Sequence, residues 1–218
     1  MTQPKNIGLQ KGGKDMTYVV VRIYSGTGDR SVDDLLHVVG QELAPQVIKA
    51  GCKRYSTVKF MDDRIGSSSF YQSRAAADQG SQIAAKWVSE TGALEGYKLA
   101  QTIEGEVVYA FQGEQNVQAK EGEIRLYQTS ASREDIEAAI REEAQPILQS
   151  VTGLIRYTCF KLDDQQGYAV ITGHADREAS TLLSQKARDA RQHSGSRLQR
   201  VLPQDPEILQ GTIVHSYT

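Results

Sequence analysis

Two stretches of this chain, far apart in sequence, are variants of one motif. Gly51-Cys-Lys-Arg54-Tyr55-Ser-Thr-Val-Lys59-Phe-Met-Asp62 and Gly153-Leu-Ile-Arg156-Tyr157-Thr-Cys-Phe-Lys161-Leu-Asp-Asp164 agree at five of twelve positions, at a constant offset of 102. Ordinary composition would supply about one such identity. Further matches keep the same order on both sides: Arg22-Ile-Tyr24 with Arg125-Leu-Tyr127, Ser31 and Asp34 with Ser132 and Asp135, Pro45 with Pro146, Lys86 with Lys186, and Gly105 with Gly211. The offset drifts only between 100 and 106, as loops that gain or lose a few residues would make it. Such a repeat restricts the chain to two copies of one supersecondary unit.

Each copy carries the same succession of periodicities. Tyr18 to Tyr24 alternates β-branched and aromatic residues and predicts a first strand, with Glu123 to Thr129 as its counterpart. Ser31 and Ser132 are N-caps in form, each with an aspartate three residues on, near the positive end of the helix dipole. Val32, Leu35, Leu36, Val39 and Leu43 then recur at helical spacing, as do Ile136, Ala139, Ile140, Ile147 and Leu148. Pro45 and Pro146 should kink this helix, because proline removes a backbone donor. Strand 2 is expected at Lys53 to Met61 and Leu154 to Leu162, and strand 3 near Ser68 to Ser73 and Tyr168 to Gly173. A second helix follows, about Ala76 to Ser89 and Asp176 to Gln192, and strand 4 closes the unit at Val107 to Phe111 and Thr212 to Tyr217. The division is therefore a disordered tail over 1–16, a repeat over 17–112, a Gln/Gly/Glu-rich linker over 113–122 and a second repeat over 123–218.

Strand-helix-strand, twice per unit, is the split βαβ or ferredoxin-like pattern. A four-stranded sheet with both helices on one face leaves its other face bare. Two such faces can bury each other inside one chain. The fold class is α+β: two tandem ferredoxin-like βαββαβ units forming an intramolecular dimeric α+β barrel.

Composition narrows the partners. A net charge of −2 gives no electrostatic case for nucleic acid or an anionic membrane. No apolar run reaches the roughly 20 residues of a membrane span, and Met1 to Asp15 lacks the apolar stretch of a secretory signal. A cytoplasmic location follows as the expectation, with a small molecule as the possible ligand. The chain should be a monomeric pseudo-dimer or a higher homo-oligomer. Cys52 and Cys159 stand in predicted strands without CxxC or histidine spacing, so they read as small core residues rather than a zinc site.

At this level the chain resembles the dimeric α/β barrel superfamily, most nearly the antibiotic-biosynthesis monooxygenase type of domain. The features carrying the resemblance are the element order, Gly51-x-x-Arg54-Tyr55 and Gly153-x-x-Arg156-Tyr157 at the entry to strand 2, and the junction of strand 3 with helix 2. That superfamily includes cofactor-free oxygenases, haem-degrading enzymes and small-molecule isomerases. The resemblance implies a cofactor-independent monooxygenase-like enzyme acting on a small aromatic or enolate-like molecule, and no cofactor. A non-catalytic ligand-binding or assembly protein is the alternative. A haem-binding relative of chlorite dismutase is a third reading, with His174 or His193 as axial ligand. The tryptophan and asparagine common around strand 3 of such monooxygenases are missing: Ser67 to Ser73 and Tyr168 to Gly173 contain neither.

A pocket between sheet and helices would be lined by Tyr55, Tyr71, Trp87 and Arg74 in the first copy, and by Tyr157, His174 and His215 in the second. His174 and Arg74, equivalent in the two copies, are the catalytic candidates because that junction often opens the pocket. Arg22 and Arg125 share a strand face with Tyr24 and Tyr127. If that face looks into the barrel, they require either an anionic partner or a ligand, since an unpaired buried charge is costly. Arg54 and Arg156 point away from their tyrosine neighbours and read as packing or inter-sheet charge. His37 falls at the polar margin of the first helix, and His193 at the end of the last, where a cation suits the helix dipole.

Overall fold

The computed structural model describes residues 16–114 and 117–218. The expected tail lies outside them, apart from Met16, which packs against the barrel interior. One order of elements occurs twice. The first half comprises β1 (Tyr18–Gly26), α1 (Val32–Val38), α2 (Ala44–Lys49), β2 (Cys52–Phe60), β3 (Ile65–Tyr71), α3 (Arg74–Thr91) and β4 (Tyr97–Gln112). The second comprises β5 (Glu121–Gln128), α4 (Arg133–Ala139), α5 (Gln145–Ser150), β6 (Leu154–Leu162), β7 (Gly167–His174), α6 (Arg177–Gln192), α7 (Arg197–Val201) and β8 (Glu207–Tyr217).

The eight strands close into an antiparallel barrel in the order β1-β3-β2-β8-β5-β7-β6-β4. Each half supplies four adjacent strands, and the β2–β8 and β4–β6 ladders weld the halves together. Val19, Val21, Ile23, Val58, Phe60, Phe70, Ile124, Phe160 and Ile171 fill the barrel. The alternate residues face the helices in two separate cores, one built on Tyr18, Val20, Leu35 and Trp87, the other on Tyr127, Ile136, Tyr157 and Leu183. The face of β1 carrying Arg22 and Tyr24 therefore looks toward the helices, not into the barrel.

The caps form as the sequence implies. The Ser31 and Ser132 hydroxyls accept from the backbone N–H of Asp34 and Asp135, each at 3.1 Å. The prolines have a more specific effect than a kink. Each is preceded by one π-helical turn, Val39–Leu43 and Ile140–Ala144, and the N–H groups of Ala44 and Gln145 donate five residues back, to Val39 and Ile140. Widening the turn carries the helix past a residue that cannot donate and whose ring crowds the preceding carbonyl. Cys52 and Cys159 are buried free thiols, and burial pushes the Cys159 thiol up to about 12.

Several elements exceed the sequence expectation: β8 begins at Glu207 rather than Thr212 and β3 at Ile65 rather than Ser68. The β4 strand begins at Tyr97 rather than Val107, because residues with little strand propensity of their own are paired with β1 from Tyr18 to Gly26. The short helix α7, which sequence periodicity does not reveal, seats Leu198 and Val201 beneath the second helical layer.

Candidate functional site

Each half has a cleft between its sheet and its helices. In the first, Tyr24, Tyr55 and Tyr71 rise from β1, β2 and β3, Leu36, Val39 and Leu43 come from α1 and its π turn, and Trp87 comes from α3. Arg22 lies at the base. Its Nη2 donates to Ser81 Oγ at 2.5 Å, and that hydroxyl donates on to the Ala77 carbonyl at 2.8 Å. Trp87 Nε1 donates to a Glu42 carboxylate oxygen at 3.3 Å, which fixes the indole as a wall. Burial raises the hydroxyls of Tyr24, Tyr55 and Tyr71, the last to about 12. They are protonated at neutral pH and serve as hydrogen-bond donors, not bases.

The second cleft repeats this plan with Arg125, Tyr127, Tyr157 and Tyr168. Arg125 Nη2 donates to Ser184 Oγ at 2.7 Å, as Arg22 does to Ser81. The difference lies two residues upstream of the arginine. Glu123 is buried against the Arg125 guanidinium as an ion pair, and Gln210 Nε2 donates to its carboxylate at 2.7 Å. The equivalent of Glu123 in the first half is Val20. Among the described residues no carboxylate stands within ion-pairing distance of Arg22. The cation of the second cleft is in direct contact with a carboxylate, and that of the first is not: the acid that feels the Arg22 charge is Glu104, across the sheet from Val20 and outside contact distance.

Neither cleft is wide. The cavities measure about 30 Å³ and about 50 Å³, room for a few waters on the scale of about 10–15 Å³ each. A ring-bearing ligand must therefore displace side chains or push the helical layer outward. The π turn of the first half, which contributes Val39 and Leu43 to the lining, is the segment of that layer already departing from regular helix.

The remaining sequence candidates lie elsewhere. His174 is fully buried at the end of β7, its Nε2 2.8 Å from Thr172 Oγ1. Burial, and then the Arg125 charge, hold its pKa down at about 4. It is not among the residues lining the second cleft. Arg74 is exposed outside the first cleft, 3.0 Å from Asp163 and near the Tyr18 ring. His215 leaves its own half altogether. The pairing of β8 with β2 carries the end of β8 under the first helical layer, where His215 meets His37 with ring centroids 5.3 Å apart. It belongs beside the first helical layer rather than in the second cleft, because the strand crosses between the halves. His193 is exposed at the end of α6.

Haem does not fit these positions. The His174 imidazole is enclosed and bonded to Thr172, His193 faces solvent, and neither cleft has volume for a macrocycle. Nothing in the local sequence marks Glu123, Ser81 or Ser184 as site residues. The serines are aligned at the same offset of 103 as the arginines they hold, and Glu123 stands opposite Val20 at that offset.

A closed eight-stranded barrel made from two four-stranded sheets, each covered by helices on its outer face, is the dimeric α+β barrel fold. Solved structures agree. A candidate monooxygenase from Lactobacillus acidophilus NCFM superposes with a TM-score of 0.67 at 10% identity, covering 93% of this chain and 96% of that one. An anthrone oxidase-like protein gives 0.59 at 12%, covering 93% of each chain. A variant of the chlorite dismutase from Candidatus Nitrospira defluvii gives 0.62 at 11%, covering 90% of each. At these identities the likeness is one of fold. No family model matches the chain, and no curated protein does. Among the described residues no helix is long and apolar enough to cross a membrane.

Proposed function

We propose that the chain is a cofactor-independent, monooxygenase-like enzyme whose first cleft takes a small, ring-bearing substrate as its enolate or phenolate. The observation that carries this reading is the Arg22 cation in an aromatic cleft with no carboxylate in contact with it, beside a twin in which Glu123 makes that contact internally. A cation at that point stabilises the anionic oxygen of an enolate, the electron-rich form that reacts with oxygen directly. Tyr55 and Tyr71, held protonated, can donate to the same oxygen, and Trp87 can stack on the ring. Oxidation of a ring methylene to a carbonyl then consumes one O2 and releases one water with no outside reductant. The fold shared with an anthrone oxidase-like protein and candidate monooxygenases supports the choice of chemistry.

Trp87 is the single tryptophan of the chain, so its fluorescence reports this cleft alone. Titration with anthrone and hydroxynaphthalenes, with oxygen uptake followed in parallel, should quench Trp87 and consume O2. Arg22→Gln should weaken binding about tenfold to a hundredfold, the worth of one charge-assisted hydrogen bond. Neither quenching nor oxygen uptake across the panel would sink the proposal. The narrowness of both clefts favours a second reading, a non-catalytic ligand-binding or assembly protein. Saturable quenching that depends on Arg22, without oxygen uptake, would select it.

A further inference from the structure

Charge is unbalanced at one end of the barrel interior. Arg54 on β2 and Arg156 on β6 occupy equivalent positions of the repeat, and each points away from a tyrosine that faces the helices, hence into the barrel. β2 and β6 are four places apart in a ring of eight strands, on opposite walls. Every ladder between them is antiparallel, so four steps leave them running the same way. Both arginines stand near the starts of their strands and so share one rim.

Arg54 is only 7% exposed, and its Nε and Nη2 have no hydrogen-bond partner. Its guanidinium lies over the Phe70 ring at 3.9 Å, which supports a cation without neutralising it. Opposite Arg156 the chain carries Gly173, where a side chain would come within 2.8 Å of the arginine Nε, so room for that guanidinium is built in. Among the described residues neither arginine has a carboxylate within ion-pairing distance. Burial lowers the pKa of both, Arg54 to about 9 and Arg156 to about 10, and the Arg156 charge adds to the effect at Arg54. One pleat deeper the wall is still polar: Ser56 Oγ lies 3.1 Å from Ser216 Oγ, and Thr158 is buried on the Arg156 side. Beyond that the interior is wholly apolar.

Two like charges in a space this dry repel each other and have lost solvation, and an anion between them relieves both costs. We propose that this rim is a binding site for a small oxyanion, phosphate-like or carboxylate, held between Arg54 and Arg156 across the pseudo-twofold axis. It is separate from the helix-side clefts and stands whether or not the enzymatic reading does.

The test is calorimetric titration with inorganic phosphate and with sulfate in chloride buffer, paired with thermal melts. The full-length chain should bind one anion per molecule and melt several degrees higher at saturation. Arg54→Gln and Arg156→Gln should each abolish binding, with Trp87 emission and circular dichroism reporting that the fold is kept. Arg156 is the less buried, so its variant guards against loss of fold at Arg54. No binding by the unaltered chain overturns the proposal, as does binding that survives in a folded Arg156→Gln protein.

Discussion

The difference between Glu123 and Val20 shows how much one residue decides here. Two arginines on equivalent strands, each held by an equivalent serine, differ in their direct ion-pair contact because one has a carboxylate two residues upstream. The buried histidine makes a second argument at this scale. His174 is enclosed as neutral imidazole with its Nδ1 unpartnered among the described residues, and its pKa of about 4 lies below the ordinary histidine value. Between those values the unfolded chain binds a proton that the folded one does not, so stability is lost as pH falls from about 6.5 toward about 4 and then levels off. The loss amounts to about 3 kcal/mol. Urea denaturation at pH 7 and pH 4.5 should show a drop in the unaltered protein that shrinks in His174→Gln. An equal drop in both would assign the acid sensitivity to other groups.

At the scale of elements, the π turns and the crossing strands depend on each other. Gly40 sits in the first π turn, and a methyl group there would collide with the phenolic oxygen of Tyr217 at the end of β8. The helix can approach the crossing strand only because this position has no side chain. Gly40→Ala should cost about 1–3 kcal/mol by overpacking, and adding Tyr217→Phe should recover part of that loss. Thermal melts of the single and double variants check it, and an unchanged melt for Gly40→Ala would count against the contact. The second half solves the same junction differently, with Arg141 over the Tyr109 ring at 5.5 Å and Tyr109 donating to Gln145 at 3.0 Å. The N-caps, helix prolines and first three strands of each half were legible because their signals are local. The extension of β4 back to Tyr97 was not, since its polar residues become a strand only by pairing with β1.

For the whole molecule, the barrel interior is a joint product. Val19, Val21 and Phe70 from one half pack in the same cluster as Ile124, Phe160 and Ile171 from the other. Residues 16–112 expressed alone would expose that face along with the edges of β2 and β4, both paired to the other half in the intact chain. Light scattering should find the fragment dimeric or aggregated. A stable, folded monomer would show that each half is self-sufficient.

By itself the sequence determined the unit, its repetition, the alternation that gives each strand two faces, and the residues at which helices begin and change pitch. These rest on periods of two and 3.6 residues and on steric rules that act within one turn. Tertiary structure decided which face of β1 turns to the helices, so that Arg22 and Tyr24 line a cleft rather than the barrel. It also decided that His215 lies beside His37, that His174 is sealed, and which arginine is left without an anion. Those outcomes depend on distances between groups a hundred residues apart, and a charge is satisfied or stranded only by what the closed barrel brings next to it.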